Sequence, residues 1–95
     1  MEEKNKLTVV FSEPYTFEDK EYTEIDLSGL RMLNANDGAR AKAMLDDPAV
    51  TVLELDLMYN LMLASLATKL PAEFFKQLPL RDATSVKAVV MDYFL

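Results

Sequence analysis

Apolar positions are densest in residues 53–70, where twelve of eighteen side chains are hydrophobic. At the helical repeat of 3.6 residues, one group falls on a single stripe, which is typical of a core-facing helix. This stripe consists of Leu55, Tyr59, Met62, Leu63, Leu66 and Leu70. A second group points elsewhere and consists of Leu53, Leu57, Met58, Leu61 and Ala64. Two apolar faces indicate either burial on two sides or a surface for a partner.

Charged residues at both ends of this segment argue against a membrane span. The uncharged run is residues 57–68, twelve residues where about twenty are needed to cross a bilayer. Thr51 and Glu54 have the spacing of a capping box and predict that the helix begins there. Pro71 predicts its end, because the residue before a proline is biased away from helical geometry.

The N-terminal part follows the alternation of a β-hairpin. Residues 7–11 are rich in β-branched and aromatic side chains, and residues 15–17 and 21–27 alternate between apolar and polar. Residues 18–20, Glu-Asp-Lys, predict the turn, because Asp tolerates left-handed backbone. Ser28-Gly29 ends this part. A hairpin alone is marginally stable, so its apolar face should lie on helices. The candidate face is Tyr15, Phe17, Tyr22 and Ile25.

Helix signals dominate the rest of the chain. Asn34 or Asn36 is a candidate N-cap for a helix that runs to about residue 46. Pro71 suits the first position of a short helix, which Pro79 ends. Asp82 is the candidate cap of a last helix with apolar residues at helical spacing. These apolar residues are Ala83, Val86, Val89, Val90, Tyr93 and Phe94.

These patterns predict a single domain over residues 1–95 with an α+β fold that is mainly α. The β-hairpin would occupy residues 1–28 and pack on a bundle of three to four helices in residues 30–95. The switch from two-residue to helical spacing near Gly29 is the basis of this prediction.

The composition excludes several kinds of chemistry. The 95 residues include no His and no Cys, so the usual general base, thiol nucleophile and soft metal ligands are missing. The two glycines cannot form a phosphate-binding loop. The net charge of −6 disfavours a nucleic-acid surface. We therefore expect neither an enzyme nor a cofactor, and no nucleic-acid or membrane partner.

The candidate functional residues are apolar. We expect the second helix face to contact a partner or a second copy of the chain, although a buried core helix is the alternative interpretation. In the pair Phe74-Phe75 we expect one core residue and one that is at least partly exposed. The candidate partner-binding residues are Leu53, Leu57, Met58, Leu61 and Phe75. Leu66 is expected in the core, where truncation to Ala costs about 2–5 kcal/mol.

Two segments carry a family resemblance, FEDKEYTEIDLSGL and LATKLPAEFFKQLPLRDATSVKAVVMDYFL. Both resemble the small tail assembly chaperones of contractile-tailed temperate phages. The first matches the family's hairpin at Phe17, Lys20, Tyr22, Thr23, Asp26 and Leu27. The second matches its Leu-Pro segments and final helix at Leu70, Pro71, Phe74, Leu78, Pro79, Asp82, Phe94 and Leu95. Asp19 stands where the family usually has Gly, so the turn is expected to differ slightly.

This resemblance implies a non-catalytic assembly role. Members of this family bind the tape-measure protein and keep it soluble while the tail tube forms. Further implied partners are the tail tube protein and a longer, frameshifted form of the chain itself, with homo-oligomers expected. The implied location is the host bacterial cytoplasm, with absence from the mature virion. The alternatives are a structural tail component retained in the virion and an acidic inhibitor of a host protein.

Overall fold

A computed structural model of the chain describes residues 7–45 and 56–94. Within these ranges the chain forms a β-hairpin, a 3₁₀ helix and four α-helices. The strands are β1 (Thr8–Phe17) and β2 (Lys20–Asp26), and the 3₁₀ helix is Ser28–Met32. The α-helices are α1 (Ala35–Ala43), α2 (Leu57–Thr68), α3 (Ala72–Lys76) and α4 (Leu80–Phe94). The predicted fold class, α+β and mainly α, is confirmed.

A two-residue turn connects the antiparallel strands. Phe17 pairs with Lys20, and the two residues between them, Glu18 and Asp19, have φ angles of 51° and 68°. Two left-handed residues in succession are the signature of a type I′ turn, whose twist matches that of the flanking strands. Neither residue is Gly, so this geometry costs conformational energy at both positions.

A large bulge in β1 shifts the register of the hairpin. Val10 pairs with Glu24, whereas the next pair is Tyr15 with Tyr22, so residues 11–14 lie opposite Thr23 alone. Val9 and Phe11 are both buried, as two residues on the same face of a strand can be, and the bulge places Pro14 where no regular ladder bond is required of it. The two predicted strand segments of residues 7–11 and 15–17 are therefore one bulged strand.

The middle of helix α2 is buried on all of its sides. Residues 60–65 are all buried, and the helix packs against α1, α3, α4 and the 3₁₀ helix. Members of both apolar faces, Leu61, Met62, Leu63 and Ala64, are therefore covered by the rest of the chain, whereas Leu53 and Leu55 lie outside the described residues. Gly29 of the 3₁₀ helix lies against α2, where an added Cβ would collide with the carbonyl oxygen of Ala67.

The start of α2 differs from the prediction. Asp56 has extended backbone, and its carboxylate accepts a hydrogen bond of 2.9 Å from the backbone N–H of Tyr59. Asp56 is therefore the N-cap, and the helix begins at Leu57 rather than near Thr51. The predicted capping box of Thr51 and Glu54 lies outside the described residues. The helix ends at Thr68, and Lys69 adopts left-handed backbone with a φ of 64°.

Local signals determine the start of α1. The Asn34 side chain accepts from the backbone N–H groups of Asn36 and Asp37, and the Asp37 carboxylate accepts from the Asn34 N–H. This reciprocal pair is a capping box. It selects Asn34 over Asn36, the other predicted cap. The helix ends at Ala43, earlier than predicted.

Phe74 of α3 lies at the centre of an aromatic cluster that joins the helices to the hairpin. Its ring is fully buried and has five aromatic neighbours within 6.4 Å, centroid to centroid. These are Phe11, Tyr15, Phe17, Tyr22 and Phe75. The Tyr15 hydroxyl donates a hydrogen bond of 2.8 Å to the Phe74 carbonyl oxygen, and burial raises the pKa of Tyr15. The expected apolar hairpin face therefore does lie on a helix.

Replacing Phe74 by Ala should destabilise the fold by about 3–5 kcal/mol, because the change removes a buried ring and leaves a cavity. Chemical denaturation monitored by circular dichroism measures this loss. Phe94→Ala is the matched control, since the Phe94 ring is 47% exposed. Equal midpoints for the two variants would contradict the central position of Phe74.

Replacing Asp19 by Gly should stabilise the protein by about 1 kcal/mol, because Gly adopts a positive φ without the steric cost that Asp bears. The thermal midpoint measures the gain. The control is Thr16→Gly, which puts the same residue into a strand position and should lower the midpoint. A decrease for both variants would show that Asp19 is not strained in the turn.

Candidate functional site

Two of the five predicted partner-binding residues are buried in the monomer. Leu61 is 1% exposed and Phe75 is 0% exposed, so the structure does not leave these two side chains open to a partner. Leu57 and Met58 are half-buried and pack against the core, and Leu53 lies outside the described residues. Leu61 is covered because the neighbours of α2 enclose the helix from several sides.

The expectation for the Phe74-Phe75 pair is wrong, because both rings are buried. Helix α3 is only five residues long, and it lies with Phe74 against the hairpin. The rings of Phe74 and Phe75 pack edge to face at 4.9 Å. A short helix between two packed layers can therefore bury adjacent residues, which no helical periodicity signals.

Asp82 has a different role from the predicted one. Helix α4 begins at Leu80, so Asp82 lies in the first turn and is not its cap. The carboxylate is buried and accepts two hydrogen bonds from Ser12 in the bulge of β1. The backbone N–H of Ser12 donates to Oδ1 at 2.9 Å, and its hydroxyl donates to Oδ2 at 3.1 Å. This Ser12–Asp82 clamp holds the start of α4 against the hairpin.

The face of α4 opposite the core is not covered by the described residues. Ala83, Val86 and Val90 are buried on one side of the helix, and at 3.6 residues per turn Ala88 lies at the middle of the opposite side. Two shallow grooves share Ala88 and Asp92 on this side. The first is lined by Leu7, Ala88, Val89, Asp92 and Tyr93, and the second by Thr84, Lys87, Ala88, Met91 and Asp92.

We call these two grooves together the α4 surface. Its lining is more apolar than polar, and the exposed aromatic rings of Tyr93 and Phe94 adjoin it at the end of the helix, in edge-to-face contact at 4.9 Å. The sequence prediction listed Val89, Tyr93 and Phe94 among the apolar residues at helical spacing. It did not name Ala88 and Met91. The available signal was helical spacing, since Ala88 follows Thr84 by four residues and Met91 follows Ala88 by three.

A third groove lies between α1 and the end of α2. Its apolar lining residues are Leu66, Leu70 and Pro71. Its charged and polar lining residues are Asp37, Arg40, Ser65 and Lys69. Leu66, which was expected in the core, is half-buried here. Arg40 is paired with Asp37 at 3.3 Å. The α4 surface is the more apolar of the two and is the candidate site.

The comparison with protein families gives a match over most of the chain. A family model described as "phage tail assembly chaperone proteins, E, or 41 or 14" matches residues 8–95. The chain belongs to the phage tail assembly chaperone family. The match spans both segments that carry the resemblance and confirms it. No curated protein and no solved structure gives a significant match.

Two kinds of feature are missing from the part of this tail assembly chaperone that the structure describes. Across residues 7–45 and 56–94, no helix combines the length and apolarity needed to span a membrane. The same residues contain no cluster of three acidic side chains that could hold a metal ion.

Replacing Asp82 by Ala should destabilise the tail assembly chaperone by about 2–3 kcal/mol, because hydrogen bonds to a buried charged group are lost. Ser12→Ala should cost less, since the Ser12 N–H still donates to Asp82. In a double-mutant cycle, Ser12→Ala should have almost no effect once Asp82 is Ala. Glu13→Ala is the control with an exposed carboxylate. Additive effects of the Ser12 and Asp82 variants in urea unfolding would disprove the clamp.

Proposed function

We propose that this chaperone binds the tape-measure protein of its phage through the α4 surface and keeps it soluble while the tail tube assembles. The observation that supports the proposal is an apolar helix face that the described residues leave uncovered. Apolar groups left in contact with water favour burial, and contiguous apolar patches often mark interaction sites.

The residues of the α4 surface suit a long and variable apolar client. Met91 is flexible and polarisable, so it can adapt to differing apolar segments. Tyr93 and Phe94 are aromatic, and aromatic side chains are enriched in protein interfaces. Ala88, which lines both grooves, is small and leaves room for a client side chain to approach the helix. A client helix lying along α4 would resemble known complexes in which an amphipathic helix occupies an apolar groove.

The charge balance supports the same role. A net charge of −6 keeps a protein with exposed apolar groups soluble and discourages nonspecific association. The proposed place of action is the host bacterial cytoplasm, before the tail is complete, and the proposal includes absence from the mature virion. The tail tube protein and a longer, frameshifted form of the chain remain proposed additional partners.

Coexpression with the tape-measure protein of the same phage tests the proposal. The unmodified chaperone should keep that protein in the soluble fraction and copurify with it. The double variant Met91→Ser, Phe94→Ser should weaken binding at least about tenfold, because each apolar side chain buried in a complex contributes about 1.5–3 kcal/mol. Binding is measured by titration with a soluble tape-measure fragment.

Met32→Ser is the matched control. Met32 is 81% exposed but belongs to the 3₁₀ helix, which packs on α2, so the same substitution there should leave binding unchanged. Equal loss of binding for both variants, at unchanged circular dichroism, would reject the α4 surface. A chaperone that neither binds nor solubilises the tape-measure protein would reject the function itself, as would its recovery in stoichiometric amount from purified virions.

A further inference from the structure

The third groove, between α1 and the end of α2, is left open by the part of the chain that the structure describes. Its apolar lining, Leu66, Leu70 and Pro71, is half-buried at the two leucines and exposed at the proline. We call it the α1–α2 groove, and its polar lining consists of Asp37, Arg40, Ser65 and Lys69. It shares no lining residue with the α4 surface.

Two of the polar lining residues are engaged within the chain. The Ser65 hydroxyl donates a hydrogen bond of 2.6 Å to the Leu70 carbonyl oxygen, and the Asp37 carboxylate pairs with Arg40 at 3.3 Å. The Arg40 guanidinium contacts Asp37 through one nitrogen and retains further N–H donors. Lys69 is exposed and has no ion pair among the described residues. The groove therefore presents cationic donors beside apolar side chains.

Lys69 is held in a backbone conformation that lysine disfavours. Its φ of 64° and ψ of 21° are left-handed, a conformation that Gly adopts at helix ends without steric cost. Hydrogen bonds fix the backbone there, because the Lys69 N–H donates to the Ser65 carbonyl oxygen at 2.9 Å and the Leu70 N–H donates to the Thr68 hydroxyl at 3.3 Å. Strained residues of this kind cluster at binding sites.

The charges of the chain are divided unevenly between its two parts. Residues 8–26, the hairpin, contain six acidic side chains and one basic side chain. The described residues that follow, 27–45 and 56–94, contain seven basic and five acidic side chains. An anionic group is therefore complementary to the helical part of the chain, although the chain as a whole has a net charge of −6.

We propose that the α1–α2 groove binds an amphipathic helix of another protein that carries a carboxylate beside its apolar residues. The apolar side chains of that helix would cover Leu66 and Leu70. Its carboxylate would pair with Lys69 and accept from the remaining N–H donors of Arg40. The groove lies between two helices, whose backbone groups are bonded within each helix, so it offers no sheet edge to an extended peptide. A helix in an apolar groove is an established mode of recognition.

This inference goes beyond the proposed function and does not depend on it. It assigns a second interaction surface, with a different set of residues and with a carboxylate as a requirement on the partner. A binding test with model peptides therefore separates it from the test of the α4 surface.

Two model peptides test the proposal. Each is an amphipathic helix of about fourteen residues, capped at both ends, with Leu at helical spacing. One carries Glu beside the Leu stripe, and the other carries Gln at the same positions. The unmodified chain should bind the Glu peptide about fivefold more tightly, as expected for an exposed ion pair, although its net charge of −6 opposes this preference. Fluorescence anisotropy at physiological salt measures both dissociation constants.

Lys69→Glu should weaken binding of the Glu peptide at least about tenfold, because like charges replace the ion pair. Lys42→Glu is the matched control. It changes the net charge by the same amount at an exposed residue that lies about 160° around α1 from Arg40, so it should have little effect. The Met91→Ser, Phe94→Ser variant should bind the peptide unchanged. Circular dichroism checks that each variant is folded.

Lys69→Gly should change stability and binding in opposite directions. The thermal midpoint should rise by roughly 4–8 °C, because Gly adopts the left-handed conformation without the cost that Lys bears. Binding of the Glu peptide should fall about fivefold, because the ammonium group is lost. A purely structural role for Lys69 would raise or lower the midpoint without changing the preference for Glu over Gln.

Several outcomes would overturn the proposal. They are no binding of either peptide, equal binding of the two peptides, and equal effects of Lys69→Glu and Lys42→Glu. Loss of peptide binding in the Met91→Ser, Phe94→Ser variant would also overturn it, because the peptide would then lie on the α4 surface. None of these results changes the outcome of the tape-measure test, which uses a different probe. Failure of the tape-measure test would likewise leave the peptide preference in place.

Discussion

Two antiparallel strands are marginally stable by themselves in water, because one face of so small a sheet must find an apolar cover. The aromatic face of this hairpin finds that cover in one side chain, the ring of Phe74. Four rings of the hairpin pack around it, and the Tyr15 hydroxyl fixes the adjacent backbone by bonding to the Phe74 carbonyl oxygen. The positions of α3 and of the flanking helices relative to the sheet follow from this contact.

Two further contacts hold the elements together, one through hydrogen bonds and one through the absence of a side chain. The Ser12–Asp82 clamp connects the bulge of β1 to the first turn of α4. The absence of a side chain at Gly29 lets the 3₁₀ helix approach α2 at the Ala67 carbonyl. With one side of α4 fixed in this way, its other side is directed outward. The apolar surface proposed for the client therefore results from how α4 is anchored.

Features with a local cause were predictable from the sequence. Asn34 caps α1 through atoms three residues away, and the turn at Glu18-Asp19 needs only its own backbone, so short motifs signalled both. Asp82 resembled a cap because its true partner, Ser12, lies 70 residues away, beyond the reach of any local pattern. Leu61 and Phe75 were assigned to a partner surface because periodicity says which residues share a face but not which neighbours cover it. The candidate site on α4 was missed for the same reason.

The long reach of the Phe74 contact has a consequence for synthesis on the ribosome. Tyr22 and Phe74 are 52 positions apart, so at about 5–20 residues per second the hairpin is translated roughly 3–10 s before the ring that covers it. During that interval its aromatic face has no cover from α3. A nascent chain of this kind would itself need protection from aggregation before it could protect another protein.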